Sequence, residues 1–295
     1  MSLSTNHILK GNELSKSDLT LLLQLANELK KDPLKYSGSL KGKHLAMIFD
    51  KPSLRTRMSF IVAMHDLGGK VVESVSAHRK SEEPEDQMRV LQGYCQAVMV
   101  RTHEDRLLER MGSVGSVPLI NGLSNRYHPC QILADLQTLQ NRFSCLSGLS
   151  LAYIGDGNNI LHSLLLMLPK LGVKVHYSCP KNCQPDFEVL READANYVKG
   201  FPSAGEAVKG CQAVYTDVWN SMGFNEKDDE LFQEYQVNEE LMKRASSDAI
   251  FLHCMPMVRG KEVSETLPDH SCSAIFEQSE NRMHAQKALL YLLLA

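Results

Sequence analysis

Leu45-Ala46-Met47-Ile48-Phe49 runs, after one residue, into Lys51-Pro52-Ser53-Leu54-Arg55-Thr56-Arg57, and the reading of that join decides the fold. The first five residues are an apolar run of buried-strand length. Past the join, Phe60, Ala63, Met64 and Leu67 recur at i, i+3, i+4 and i+7, the spacing of one helix face, and Gly68-Gly69 supplies a stop signal. A strand therefore hands over to a helix N-terminus. Free backbone N–H groups and the positive end of the helix dipole make such a place favourable for an anion. Two arginines and two hydroxyls there suit a phosphate. Ser and Thr are also ordinary caps, so the run by itself fits either an anion site or a plain helix start.

Working outward, strand-like runs alternate with helices on both sides. Upstream, LTLLLQLANELK is amphipathic, with Leu21, Leu22, Leu25 and Leu29 aligned and Ser17 placed as a cap. Strands are expected at 45–49, 70–74, 97–101 and 117–121, with helices after Arg55 and around 85–94 and 104–111. A helix from Pro129 to about Phe143 leads to Ser147-Gly148, a hinge. The rhythm then restarts: strands at 150–155, 174–179, 213–218, 249–254 and 273–276. Helices are read at 159–171, at 203–209 behind the capping box Ser203-x-x-Glu206, and from about Ser279 to the end. This pattern predicts an α/β protein of two doubly wound parallel-sheet domains linked by helices near residue 140, with no internal sequence repeat.

At 295 residues, 43% hydrophobic and 23% charged, the chain has the length and composition of two soluble globular domains. A net charge of −3 leaves no nucleic-acid footprint, and no basic run marks a membrane surface. The N-terminal MSLSTNHILKGNELS reads neither as a signal peptide nor as a span, and the final LLYLLLA is too short to cross a bilayer. Eight cysteines without a secretion signal read as reduced thiols, so a cytoplasmic protein is expected. Cys179 and Cys183 lack a second close pair, so no metal is expected.

The chemically rich residues fall where strands end, which is where ligands sit in such sheets. Arg101 closes AVMVR. His128 and Gln131 stand three apart across a helix start; a neutral His can donate to a carbonyl oxygen, and a Gln can donate and accept. Gly155-Asp156-Gly157-Asn158-Asn159 resembles a glycine-rich nucleotide turn without completing a dinucleotide fingerprint, and its amides suit an amino-acid carboxylate. Asp217, in DVWNSMG, is placed to pair with an ammonium group. His253-Cys254-Met255-Pro256 sets a thiol at a strand end, and Glu280-Asn281-Arg282 opens the last helix.

Taken together and in order, SLRTR, HPCQ followed by ILADLQT, GDGNN, DVWNSMG, HCMP and ENRMH resemble the aspartate/ornithine carbamoyltransferase family over roughly residues 40–295. DxWxSMG and HCxP mark its ornithine branch. The resemblance implies a carbamoyl-phosphate-binding domain over 1–140, with the C-terminal helix from about 279 packed back on it, and an ornithine-binding domain over 141–278. It further implies a trimer with active sites between subunits, no cofactor, and a place in arginine metabolism. The implied reaction moves the carbamoyl group of carbamoyl phosphate to the δ-amino group of L-ornithine, giving L-citrulline and phosphate. Carried over residue by residue, Ser53, Leu54, Arg55, Thr56, Arg101, His128 and Gln131 would bind carbamoyl phosphate, joined by Cys254, Met255 and Arg282. Asn159, Asp217, Ser221 and Met222 would hold ornithine. Arg55, Arg101, His128 and Cys254 would carry the chemistry.

Two positions depart from the family pattern. Leu54 stands where Thr is common, and a backbone N–H can serve there. Ala77 falls where relatives use a Gln or His from a neighbouring subunit; His78 beside it either substitutes or that contact is lost. Rival readings are a nucleotide-binding oxidoreductase, a catalytically silent relative, and a carbamoyltransferase for another amine. The first would need a third glycine and an acidic residue ending the next strand, where Tyr177-Ser178-Cys179 stands.

Overall fold

The computed structural model describes residues 2–75, 82–220 and 228–295. The chain forms two compact units, residues 1–137 with 280–295, and residues 138–279. Each is built on a five-stranded, wholly parallel sheet.

The first sheet has the order β1-β5-β4-β2-β3, with β1 at His7–Ile8, β2 at His44–Phe49, β3 at Lys70–Val75, β4 at Ala97–Arg101 and β5 at Leu119–Leu123. Every residue of β4 and all but the first of β2 are buried, as expected of central parallel strands covered on both faces. The helices around them are α1 (Lys16–Lys31), α2 (Arg55–Asp66), α3 (Pro84–Leu91), α4 (Asp105–Val114) and the start of α5 (Pro129–Phe143). On α2, Phe60, Ala63 and Met64 are buried, with Leu67 at its C-cap, as the i, i+3, i+4, i+7 pattern predicts. On α1 Leu22, Leu25 and Leu29 are buried as expected, with Leu19, Leu23 and Ala26, whereas Leu21 is only half-buried; each leucine taken from water contributes about 1.5–3 kcal/mol. The cap of α1 is Ser15 rather than Ser17. Ser15 and Asp18 form a reciprocal capping box, which sets the start two residues earlier than a cap at Ser17 would.

The second sheet has the order β10-β9-β6-β7-β8, with β6 at Ser150–Ile154, β7 at Lys174–Ser178, β8 at Val198–Gly200, β9 at Ala213–Thr216 and β10 at Ile250–His253. Its helices include α6 (Asn159–Met167), followed by a 3-10 turn over Leu168–Leu171, then α7 (Phe187–Glu192), α8 (Ala204–Ala207) and α9 (Glu239–Met242). Ser203 caps α8 by accepting the Glu206 N–H. One expected strand is absent: residues 273–276 are not extended. Ser273 makes only an isolated bridge to Phe251, and α10 begins at Ile275 and runs to Leu294, four residues earlier than expected. The β-branched and apolar run Ala274-Ile275-Phe276 has strand character, but the helix buries Ala274 and Ile275 while leaving Phe276 exposed.

Four strands in each sheet share one pattern. β5-β4-β2-β3 and β10-β9-β6-β7 both reverse direction of growth at the middle pair, β4/β2 in one and β9/β6 in the other. Crevices outside the carboxyl ends of strands at such reversals are where α/β sheets hold ligands.

Candidate active site

In the first unit the reversal lies between β2 and β4. The Asp50 N–H donates to the Arg101 carbonyl (2.8 Å), tying the loop after β2 to the end of β4. Lys51 Nζ donates to Asn125 Oδ1 (2.8 Å), tying the same loop to the one after β5. Ser53 Oγ accepts the Thr56 N–H (3.2 Å), so Ser53 steadies the start of α2 while Arg55 and Thr56 occupy its first turn. Leu54 keeps its side chain exposed. Arg57 is diverted: it pairs with Glu73 (2.9 Å) and lies over the Phe49 ring. Register between β4 and β5 shifts at Val100/Arg101, so that Arg101 pairs with Leu123 after Val100 pairs with Asn121. A bulge of this kind re-aims the residue at a strand end.

Arg101, Arg282 and His128 are all buried, and Arg282 Nη2 donates to Thr56 Oγ1 (2.7 Å). Burial, reinforced by Arg282, Arg101 and Arg55, holds His128 well below the usual imidazole range. His128 is therefore a neutral hydrogen-bonding group in a cationic setting. Burial and then Arg101 lower the Lys51 ammonium to about 8, against a smaller opposing pull from Asp105. Gln131, one turn into α5, donates from Nε2 to Asp135 Oδ1 (2.8 Å), and its buried Oε1 has no partner among the described residues. That bond fixes the amide so that an acceptor oxygen remains. Cationic groups at this density suit a multiply charged anion.

In the second unit the reversal lies between β6 and β9. Gly155 follows β6 with φ of 130°, a conformation that disfavours a side chain. Gly157 lies so close to the next loop that a Cβ would meet Gln184 C and Pro185 N at 2.4 Å. Asn158 caps α6: its Oδ1 accepts the N–H groups of Ile160 (3.0 Å) and Leu161 (3.4 Å), and also the Tyr153 hydroxyl (3.1 Å). Its Nδ2 donates to Asp217 Oδ2 (2.7 Å). The other carboxylate oxygen, Oδ1, accepts the Val218 N–H (2.9 Å) and the Cys254 thiol (2.9 Å). Trp219 follows, buried and stacked on Phe232 with centroids 5.4 Å apart, and Cys183 packs with them.

Cys254 itself is held by the strand end behind it. His253 Nδ1 accepts the Met255 N–H (2.9 Å), which leaves Nε2–H to donate to Glu262 Oε1 (3.2 Å), and Glu262 also accepts the Val258 N–H. Met255 adopts φ of 60° and is joined to Pro256 by a cis bond. Ligand-type atoms of Asp217, His253 and Cys254 lie within 4.8 Å of one another. The arrangement offers a carboxylate and a thiol already hydrogen-bonded to each other, chemistry suited to an amine.

Of the residues expected at the site, Arg55, Thr56, Arg101, His128 and Arg282 gather in the first unit, with Ser53 and Gln131 bonded to the same local framework. Asp217 and Cys254 meet in the second, with Met255 next in the chain. Asn159 is the first residue of α6 and half-buried; the residue bonded to Asp217 is its neighbour Asn158. Ser221 and Met222, and the Ala77–His78 pair, lie outside the described residues. Lys51, Asn158, Tyr153 and Glu262 were not singled out as site residues. Lys51 and Asn158 stand within the motifs themselves, whereas Tyr153 reads as core and Glu262 carries no local pattern. His162 accepts the Asp186 N–H (2.9 Å) and His284 faces Glu280, so both have local structural partners.

Two family models match, one described as the carbamoyl-P binding domain of aspartate/ornithine carbamoyltransferases over residues 6–141. The other, their Asp/Orn binding domain, matches residues 147–293. The chain is 42% identical to the ornithine carbamoyltransferase of Parafrankia sp. over 99% of its own length and 97% of that protein. It is 42% identical to that of Archaeoglobus fulgidus over 98% of its length and 97% of the relative. Among solved structures, the Pyrococcus furiosus ornithine carbamoyltransferase superposes with a TM-score of 0.94 at 37% identity, covering 100% of this chain and 98% of that one. The Thermus thermophilus structure gives 0.92 at 38%, covering 99% of each.

Proposed function

The chain belongs to the aspartate/ornithine carbamoyltransferase family, and from that premise we infer the reaction: transfer of the carbamoyl group of carbamoyl phosphate to the δ-amino group of L-ornithine, giving L-citrulline and phosphate. It is a transferase. The observation that carries the reading is the contrast in charge between two strand-end sites, a buried cationic cluster around His128 and a carboxylate–thiol pair at Asp217 and Cys254.

In this reading the first unit holds carbamoyl phosphate. Ser53, Leu54, Arg55 and Thr56 supply backbone N–H, hydroxyl and guanidinium groups to the phosphate, and Arg282 adds charge from α10. Arg101 and the neutral His128 donate to the carbamoyl oxygen, where negative charge develops as the amine attacks. Losing one such donor costs about 3–4 kcal/mol. The Gln131 Oε1 accepts from the carbamoyl NH2. The second unit holds ornithine through Asn159 and Asp217, with Ser221 and Met222 completing its grip on the amino acid, while Cys254 and Met255 serve the carbamoyl group.

The chemistry needs a neutral δ-amine, and a free alkylamine has a pKa of about 10. Asp217 and Cys254 orient the amine and take its proton. A nitrogen–carbon bond forms to the carbamoyl carbon, the bond from that carbon to the phosphate oxygen breaks, and the phosphate leaves as an anion stabilised by Arg55. No covalent enzyme intermediate is required.

We further propose a homotrimer acting in arginine metabolism in the cytoplasm. The family membership supports the assembly and the pathway. Eight free cysteines fit a reducing compartment, and no helix among the described residues is long and apolar enough to cross a membrane. Light scattering expects three times the 33.0 kDa chain mass.

The test is citrulline formation by the purified chain with carbamoyl phosphate and, in parallel, ornithine, putrescine or acetylornithine. Turnover with ornithine alone is expected. Silence with all three would overturn the assignment and leave a binding relative, and preference for putrescine would move the specificity to another amine.

A further inference from the structure

We propose that Tyr153 and Asn158 are positioning residues for ornithine turnover, setting the orientation of Asp217. The inference rests on the reading of Asp217 as the carboxylate that meets ornithine.

Tyr153 lies on β6 with no exposed surface, stacked against Tyr215 of β9 (centroids 5.9 Å), and by sequence it is an ordinary core aromatic. Its hydroxyl, however, donates to Asn158 Oδ1 at 3.1 Å. That oxygen also accepts the two backbone N–H groups at the start of α6, so the amide has one permitted orientation and its Nδ2 must face Asp217. The chain of donors is directional: Tyr153 hydroxyl to Asn158 oxygen, Asn158 nitrogen to Asp217 Oδ2, with Cys254 donating to the remaining Oδ1. Burial first, then Asp217 and Asp156, raises the Tyr153 phenol well above its ordinary value, so it stays a donor at any working pH.

A plain helix cap would need only the oxygen of Asn158. The amide nitrogen on Asp217 is surplus to capping, as is the phenol behind it. Together they hold a buried carboxylate in one rotamer. The other titratable groups near this chain are Asp156 after β6, Cys179 after β7, and His253 and Cys254 at the end of β10.

Asn158→Asp separates the two roles in the full-length chain. Aspartate caps a helix as well as asparagine, but it faces Asp217 with a carboxylate instead of a donor. Expected results are a melting temperature close to the parent's, kcat/KM for ornithine lower on the order of a hundredfold, and an unchanged KM for carbamoyl phosphate. Two carboxylates sharing a proton titrate higher, so the acid limb of the ornithine profile moves to higher pH. Tyr153→Phe keeps the ring and the stack, and lowers kcat/KM for ornithine about tenfold. Should Asn158→Asp fail to fold, Asn158→Ser keeps the cap oxygen and removes the amide donor. Wild-type ornithine kinetics in these variants, or lowered melting temperatures with an unmoved pH profile, would overturn the proposal. Absence of ornithine turnover in the unsubstituted chain would overturn the assignment beneath it, and the proposal with it.

Discussion

In the first unit the strand beside the reversal, β4, ends on Arg101; in the second the strand in the same place, β9, is followed at once by Asp217. The strand on the other side of the reversal leads in one case to Ser53, Arg55 and Thr56 at the start of α2, and in the other to the cap Asn158 at the start of α6. The next strand out from β4 or β9, which is β5 or β10, leads to His128 in one and to Cys254 in the other. Two sheets with the same central strand order, and no repeat in sequence, thus place an arginine in one and an aspartate in the other at the strand end beside the reversal. Topology decides where the functional side chains project.

Exchanging the charge at the matching positions breaks the comparison most directly. Arg101→Leu should lower kcat/KM for carbamoyl phosphate by about a thousandfold, in line with loss of one buried charge-stabilising donor. Asp217→Asn should lower kcat/KM for ornithine on the order of a hundredfold, with KM for carbamoyl phosphate little changed. Steady-state kinetics with each substrate varied in turn would read the split. Equal losses toward both substrates in both variants would sink the division of labour.

A glycine near a strand end of each sheet sharpens it. At Gly157 a new Cβ would meet backbone atoms at 2.4 Å, whereas at Gly122, beside the bulge of β5, it would meet the flexible end of Met99 at 2.4 Å. Gly157→Ala should therefore cost about 3 kcal/mol or more and Gly122→Ala about 1 kcal/mol, measured by urea unfolding. Similar losses would show that the loop after Gly157 can yield.

Lys51 gives the smallest effect and the clearest sign. Folding lowers its pKa from the ordinary 10.5 to about 8. Between these values the unfolded chain holds a proton that the folded chain has released, so this residue makes stability rise with pH across that window. Below about 8 the buried ammonium opposes folding in full. Lys51→Met should melt higher than the parent at pH 7, with the gap narrowing toward pH 10. A gap independent of pH would show that the ammonium is not strained by burial.

The sequence was most informative where periodicity and strand length agree, as in β2, α2 and β4. It was least informative at edges. β1 is two residues and β8 three, too short for any alternation to register. Residues 273–276 have strand composition, and burial of one face by α10 overrode it. In the candidate site, Arg101, His128, Asp217 and Cys254 drew notice in the sequence because each ends or follows a strand. It could not choose between Asn158 and Asn159, since which one caps depends on a one-residue difference in where α6 begins. Tyr153 and Glu262 were invisible for another reason: both are buried inside the fold and meet Asn158 and His253 by a contact that no local motif marks.

Trp219 is the only tryptophan in the chain, and it sits two residues past Asp217, stacked at 15° on Phe232. Its emission is therefore a built-in optical label for the second unit. Ornithine added alone would be followed through it without any dye, while events confined to the first unit have no indole of their own to report them.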